Sequence, residues 1–213
     1  MLGLLFQEPI LFVVWILAIL VALTIHEFSH AWAGTILGDN TAKRMGRFTL
    51  NPLSHIDPVG LLILITIGFG WGKPVPFNPY NLRKKKWGPA LVALAGPAMN
   101  LVGALILGLI LRIIFPFLGP GNLLIQFLSL SVFLNVALLL FNLIPLPPLD
   151  GSKLLLVILS DHKYEHIRTF LENRGPLILL GLIFGDMILN LNIFGGLFSI
   201  IMGLASLIVG FGM

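Results

Sequence analysis

The chain has 213 residues, of which 57% are hydrophobic and only 10% are charged, and its mean hydropathy is +1.01. Soluble domains carry about 25% charged residues, so this composition predicts a membrane protein and leaves little length for a soluble domain. Because the basic residues behind the net charge of +4 flank apolar segments, membrane orientation explains them better than nucleic-acid binding.

The first apolar run, residues 9–37, predicts a transmembrane helix with His26-Glu27-Phe28-Ser29-His30 toward its C-terminal end. Residues four apart share one helix face, so His26 and His30 point the same way, with Glu27 beside them. This is the arrangement of two imidazole ligands and a general base in H-E-x-x-H zinc hydrolases. An ionisable group at membrane depth costs about 3 kcal/mol, which favours a functional site over a helix end with snorkelling side chains.

The remaining elements follow in chain order. The apolar piece 59–71 is shorter than the roughly 20 residues of an ordinary span, and the prolines of 73–79 favour an edge strand or an extended loop. Two more spans are predicted over 87–117 and 122–146, then an amphipathic interfacial helix over 150–174 and two apolar segments over 176–189 and 193–211. The predicted fold is therefore an all-α polytopic membrane protein with about five transmembrane helices, a re-entrant or β-hairpin segment and an interfacial helix.

Basic residues predict the orientation of these segments. Of the 13 lysines and arginines, only Arg112 lies outside the clusters at 43–47, 73–86 and 153–174. The positive-inside rule assigns all three clusters to the cytoplasm, so the 59–71 piece must enter the membrane and return to the same side. We therefore expect a multi-pass protein of the cytoplasmic membrane, with its N-terminus outside and its active site near the cytoplasmic face.

A catalytic zinc site normally has three protein ligands and one open position for water. The chain has no cysteine, and Asp150 is the carboxylate best placed to complete the site, because prolines after Asn142 break the third span at the depth of the two histidines. Asp150 could instead cap the helix that begins at Gly151. The unfilled metal position favours the ligand interpretation.

Four segments together resemble the site-2 protease family of intramembrane zinc metalloproteases. They are 26–30, 51–58, Gly96-Pro97-Ala98-Met99-Asn100, and the run from 142 to 151, which ends in Leu149-Asp150-Gly151. The likeness is to the compact bacterial and archaeal branch, without a PDZ or cystathionine-synthase-type domain. It implies one Zn²⁺ per chain held by His26, His30 and Asp150, with Glu27 as general base and Asn142 positioning the substrate or stabilising the oxyanion.

This resemblance implies a single membrane-embedded protease domain over residues 1–213, with a catalytic core at about 9–153 and a C-terminal helical hairpin at about 176–212. The expected activity is hydrolysis of peptide bonds in or near transmembrane segments of membrane proteins. The expected partners are the lipid bilayer and a single-span substrate helix that unwinds before cleavage, pairing with an extended edge at 43–50 or 75–78. Nucleic acid is not expected as a partner, and no sequence feature defines an oligomeric state.

Several alternatives stay open at the level of sequence. Asn100 could join Asn142 at the oxyanion, but helix–helix hydrogen bonding would equally explain Asn100, Asn135 and Asn142. His55 and Asp57 could support the metal site or form an interfacial loop pair. Buried His, Glu and Asp also mark ion pathways, so a membrane ion or metal transporter is the main rival function, followed by a catalytically inactive metal-binding scaffold.

Overall fold

The computed structural model describes residues 2–68 and 70–210, apart from the Met187 side chain. Within these ranges, short 3₁₀ turns occur at Pro52–His55, Pro79–Asn81 and His162–Tyr164. The α-helices are α1 Leu2–Gln7, α2 Pro9–Ile36, α3 Thr41–Arg44, α4 Pro58–Ile67, α5 Gly88–Leu118, α6 Leu123–Asn142, α7 Gly151–Ile158, α8 Glu165–Leu189 and α9 Ile193–Val209. The predicted all-α class is confirmed.

Three of these helices, α2, α5 and α6, are long and apolar enough to cross a membrane. They pack against one another, and α9 packs against α5 and α6 at the side of this bundle. The apolar helices α4 and α9 have 10 and 17 residues, short of the roughly 20 needed for an ordinary span. The prediction of about five spans therefore stays a prediction beyond these three.

The bundle packs small and polar residues beside apolar ones such as Leu111 and Val132 in its interior, and it also exposes many large apolar residues on its outside. Its buried positions include Ala18, Ala22, Ala104, Ser131 and Asn135. Its exposed positions on α5 include Ile106, Leu109 and Ile113. Small residues let helix backbones approach closely in a bilayer, where exposed leucine and isoleucine carry no penalty. This distribution fits a protein whose outer surface faces lipid.

Two predicted boundaries differ from the structure. The third span ends at Asn142 and not near 146, because Pro145 and the prolines after it cannot continue a helix. The predicted interfacial helix over 150–174 is broken after α7, where Ser160 and Asp161 favour a turn. The second part, α8, then continues through Pro176 to Leu189, although that proline supplies no backbone donor.

The 56–72 segment leaves the bundle and comes back to its starting point. Ile56 and Gly72 form an antiparallel bridge, and the Lys73 amide donates to the His55 carbonyl at 2.9 Å. Between them lies α4, whose first amides are capped by Asp57, so this segment is a helical excursion and not the predicted β-hairpin. No β-strand occurs in 2–68 or 70–210. A segment that re-enters the membrane must begin and end side by side, as this segment does. Its re-entry into the membrane stays a prediction.

Candidate metal centre

Two imidazoles of α2 meet inside the bundle. His26 and His30 are 4% and 8% exposed, and their Nε2 atoms lie 3.0 Å apart. The Nδ1–H of His26 donates to Asn100 Oδ1 at 2.5 Å, and the Nδ1–H of His30 donates to the Val92 carbonyl at 2.8 Å. Because an amide or carbonyl oxygen can only accept, each neutral ring carries its proton on Nδ1. Both Nε2 lone pairs are therefore free to bind a cation.

Asp150, which lies much later in the sequence, places a carboxylate next to the two imidazoles. Its Oδ2 lies 3.1 Å from His26 Nε2 and 3.3 Å from His30 Nε2. The loop after α6 carries it there, and its side chain makes no capping hydrogen bond to the start of α7. The alternative that Asp150 serves as a helix cap is therefore wrong.

The three atoms fit a metal ion. Their separations of 3.0, 3.1 and 3.3 Å form a nearly equilateral triangle. Ligands at about 2.0–2.1 Å from zinc in a tetrahedron are about 3.4 Å apart, which is close to the edges of this triangle. Two imidazole lone pairs and a carboxylate oxygen also repel one another unless a cation lies between them. Nitrogen and oxygen donors of this kind suit zinc.

Glu27 lies next to this triangle and has a different partner. It is 7% exposed, and its Oε2 accepts a hydrogen bond from the Val75 amide at 2.9 Å. Ligand atoms of His26, Glu27 and His30 all lie within 4.8 Å of one another, so Glu27 could itself join a metal site. The hydrogen bond from Val75 places Glu27 between the two imidazoles and the extended segment 73–78.

Buried charges hold this extended segment in place. Arg47 donates to the Lys73 carbonyl at 2.6 Å and to the Pro74 carbonyl at 3.2 Å. Asp39, just after α2, is 1% exposed and accepts from the Asn78 amide at 2.7 Å and the Asn81 side chain at 2.9 Å. Hydrogen bonds therefore hold the extended segment 73–78 both to Glu27 within α2 and to Asp39 just after α2.

The Asp39 carboxyl is ionised more readily than an ordinary aspartate. Burial raises its pKa, but hydrogen bonds from Thr41, Asn81 and Asn78 outweigh burial and lower the pKa below the usual range. The sequence analysis did not predict that Asp39 holds the extended segment in place. The sequence feature that could have indicated this role is a carboxylate directly after Gly38, the glycine that ends the helix.

Gly96 allows α5 to approach the two imidazoles. A Cβ atom there would lie 2.6 Å from His30 Nε2 and 2.7 Å from His26 Cε1. Distances under about 3 Å are not tolerated between such atoms, so a side chain at this position would displace the rings. The sequence contained Gly96-Pro97 as a motif but did not reveal its contact with the histidines.

Comparison with known proteins shows the family to which the chain belongs. The model of peptidase family M50 matches residues 120–184. "Putative zinc metalloprotease YwhC" of Bacillus subtilis is 41% identical over 146 residues, which are 66% of this chain and 66% of that protein. "Putative zinc metalloprotease Rip2" of Mycolicibacterium smegmatis is 36% identical over 151 residues, which are 66% of this chain and 55% of that protein. The chain belongs to peptidase family M50, the site-2 protease family.

Rip2 of Mycobacterium tuberculosis is 34% identical over 150 residues, covering 66% of this chain and 55% of that protein. No solved structure matches the chain. The part of the chain that matches the M50 model covers α6, the loop that carries Asp150, α7 and most of α8. The α2 histidines lie before it, so the predicted ligands of this M50 chain come from two separate parts of the sequence.

Asn142, the other residue expected in catalysis, lies at the end of α6. It lines a cavity of about 670 Å³, together with Trp71 of the 56–72 segment. The same cavity is lined by the residues of the metal triangle, which consists of His26 Nε2, His30 Nε2 and Asp150 Oδ2. Its Nδ2 donates to the Leu138 carbonyl at 3.0 Å, one turn earlier in its own helix. The structure thus brings Asn142 to the site, with one of its two amide N–H donors engaged within α6.

Asn100 and Asn135 are fully buried between helices. The Nδ2 of Asn100 donates to Asn135 Oδ1 at 2.8 Å and to the Ala22 carbonyl at 3.2 Å. The helix–helix alternative is therefore right for these two residues. Asn100 has no free donor for an oxyanion, so that suggestion is wrong.

His55 and Asp57 do not form the expected pair. His55 is fully buried, and its Nε2–H donates to the Thr49 carbonyl at 2.9 Å. Asp57 accepts from the first amides of α4. Both residues shape the 49–60 region, and neither donates to a metal ligand.

Proposed function

We propose that this M50 chain is a zinc metalloprotease that hydrolyses peptide bonds in or near transmembrane segments of membrane proteins. One observation carries the proposal. The triangle of His26 Nε2, His30 Nε2 and Asp150 Oδ2 is buried in a bundle of membrane-length helices, with the Glu27 carboxylate beside it. The same residues on a soluble surface would support hydrolysis but not this class of substrate.

His26, His30 and Asp150 would hold one zinc ion per chain at the wall of the cavity that they line. Bound zinc would lower the pKa of a water molecule to about 7 and polarise the scissile carbonyl. The histidines contribute neutral donors, and Asp150 contributes the negative charge that partly balances the ion.

Glu27 is proposed as the general base and not as a ligand. Its position beside the triangle allows a carboxylate oxygen to accept a proton from the attacking water and return it to the leaving amine. The Val75 amide, which donates to Oε2 at 2.9 Å, orients the carboxylate and leaves Oε1 for this transfer. Such proton transfer contributes about 100- to 10,000-fold to the rate.

Asn142 is proposed to donate a hydrogen bond to the oxyanion or to position the substrate. Its cavity-lining position at the C-terminal end of α6 supports this role. Its NH₂ group carries two N–H donors and the Leu138 carbonyl accepts from one, so the second can be donated to the substrate.

The proposed substrate is a single transmembrane helix that unwinds locally. A helix keeps its amides and carbonyls in internal hydrogen bonds, so its scissile bond must become extended to reach the zinc site. The 75–78 part of the extended segment runs past Glu27 and offers the chain's own backbone as an edge for strand addition. The other expected edge, 43–50, begins inside α3, which makes it the weaker candidate.

The proposed location is the cytoplasmic membrane, with the N-terminus outside and the active site near the cytoplasmic face. Residues 9–153 form the proposed catalytic core of one membrane-embedded domain. In the proposed C-terminal hairpin, about 176–212, Asp186 caps α9, accepting from the Ile193 amide at 2.7 Å. Residues 211 and 212 lie outside the described residues.

The decisive experiment reconstitutes the chain with a panel of tagged single-span membrane proteins and compares wild type with Glu27→Gln. Wild type should bind one zinc ion and release membrane-protein fragments. Glu27→Gln should keep the zinc and cleave at least about 100-fold more slowly. Asp150→Ala should lose the zinc and the activity together.

Glu8→Gln is the matched control, since Glu8 is exposed before α2 and makes no capping bond. It should behave as wild type. Turnover of Glu27→Gln within threefold of wild type would remove Glu27 from the mechanism. Zinc flux into liposomes without any fragment release would favour the transporter instead.

A further inference from the structure

A chain of side-chain amides runs through the bundle to the metal triangle. Asn135 Nδ2 donates to the Ser131 carbonyl at 2.8 Å, and Asn100 Nδ2 donates to Asn135 Oδ1 at 2.8 Å. Asn100 Oδ1 then accepts from His26 Nδ1 at 2.5 Å. These contacts link α6 to α5 and α5 to α2, and both asparagines and Ser131 are fully buried.

Backbone carbonyls at two points fix the direction of every bond in this chain. The Ser131 carbonyl can only accept, so Asn135 must present its nitrogen there and its oxygen to Asn100. The Ala22 carbonyl, 3.2 Å from Asn100 Nδ2, likewise requires the nitrogen of Asn100. A flipped Asn100 would set its oxygen against two other oxygens in a fully buried site, at a cost of about 1–3 kcal/mol for each unmet group. Asn100 Oδ1 is thereby left for His26 alone.

The two imidazoles differ in the kind of group that accepts their Nδ1–H hydrogen bond. His30 donates to a main-chain carbonyl, that of Val92, which no side-chain substitution removes. His26 depends on a side chain on another helix. If that acceptor is lost, the ring can turn or move its proton to Nε2, which is the atom that faces His30 and Asp150.

We infer that Asn100, oriented by Asn135, is a positioning residue that keeps the His26 proton on Nδ1 and its Nε2 aimed at the metal. The inference rests on the proposed zinc site and extends it. A hydrogen bond to the far nitrogen of a ligating histidine fixes the tautomer and the ring orientation, and its loss typically weakens metal binding by about 10- to 100-fold. Asn135 acts one step further away and should have a smaller effect.

The test measures zinc affinity of the full chain in detergent by competition with a chromophoric chelator, and the absorption spectrum of bound Co²⁺. Asn100→Ala should weaken zinc binding by about 10- to 100-fold and alter the Co²⁺ spectrum. Asn135→Ala should weaken it less. Asn100→Asp keeps an oxygen acceptor for His26 Nδ1, while its second oxygen faces the Ala22 carbonyl and Asn135 Oδ1. It should therefore bind zinc more tightly than Asn100→Ala while lowering thermal stability.

Asn122→Ala is the matched control. The Asn122 side chain caps the other end of α6 by accepting from the Leu124 amide at 2.9 Å, and it does not touch the metal triangle. It should lower thermal stability without changing zinc affinity or the Co²⁺ spectrum. A purely structural role for Asn100 would give Asn100→Ala this same pattern and overturn the inference.

Two further outcomes separate this inference from the proposed function. If Asp150→Ala abolishes zinc binding while Asn100→Ala binds zinc as tightly as wild type, the zinc site stands and the positioning role falls. The role also falls if Asn100→Asp, folded, loses as much affinity as Asn100→Ala. If wild type binds no zinc, both the zinc site and the positioning role are wrong.

Discussion

At the residue scale, Gly96 shows how closely α5 approaches the metal triangle. A methyl group at this position would lie 2.6 Å from His30 Nε2 and would press on both imidazoles. Packed interiors tolerate little added volume, so Gly96→Ala should push the rings apart or shift α5 outward. We expect zinc affinity to fall by about 10-fold or more, a loss similar to that from disturbing the groups that orient a ligand.

Gly203→Ala is the control for Gly96→Ala. Gly203 lies inside α9 with open space around its would-be Cβ, so alanine there should not reduce zinc affinity. Chelator competition on both variants decides the matter. Unchanged zinc affinity in Gly96→Ala would mean that the helices yield at this contact and that the glycine is not required by the metal site.

At the element scale, Asp39 fastens the extended segment to the end of α2. Its Oδ1 accepts from Thr41 and Asn81, and its Oδ2 accepts from the Asn78 amide at 2.7 Å. Asp39→Asn can keep the Oδ1 acceptor, but its new NH₂ group would then face the Asn78 N–H. We expect a loss of about 1–3 kcal/mol in stability. Hydrogen exchange should speed up most near Asn78.

The same aspartate predicts a dependence on pH. Its pKa is lowered in the folded protein, so its contribution is fully present above about 3.9, the pKa of an unperturbed aspartate. The contribution is lost as pH falls through the lowered folded pKa. The melting temperatures of wild type and Asp39→Asn should therefore converge on acidification. Asp161→Asn, at an exposed position, should track wild type throughout, and a constant gap between wild type and Asp39→Asn would contradict the assignment.

The sequence predicted the apolar helices well because their signal is local. The limits of α2 and α5 fall within about a residue of those expected, since long apolar runs with glycine or proline at their ends leave little choice. The predicted end of α6 and the predicted interfacial helix were less accurate. The prolines from Pro145 onward end α6, whereas Pro176 lies inside α8 without ending it. Proline at 176 is accommodated inside α8, where Gly175 packs closely against Pro147.

The sequence predicted the residues that meet at the proposed metal site, but not the groups that surround them. His26, Glu27 and His30 follow from helical spacing, and Asp150 follows from the chemistry that two imidazoles lack. The contacts of Asn100, Gly96 and Asp39 join residues 39 to 74 positions apart or lie between helices, and no local pattern encodes them. Tertiary packing alone brings these groups to the metal triangle.

At the scale of the whole molecule, all three basic clusters lie at one end of the bundle. His30 contacts Val92 near the start of α5, so the C-terminal end of α2 and the N-terminal end of α5 are neighbours. Asp150 contacts both histidines, which brings the chain after α6 to the same end. The residues that follow α2, precede α5 and follow α6 therefore share one side of any membrane that these helices cross. The positive-inside rule predicts that this side is the cytoplasm.

This arrangement can be tested in cells with single cysteines, since the chain has none of its own. Met45→Cys, Lys84→Cys and Asp161→Cys are exposed positions at the basic end, and Gly121→Cys lies in the short α5–α6 loop at the other end. A membrane-impermeant thiol reagent should label only position 121 in intact cells and should reach the other three after the membrane is opened. Labelling of position 84 but not position 45 from outside would make the 56–72 segment a true span. It would then separate α2 from the start of α5 and contradict the contact between His30 and Val92 on which the metal centre depends.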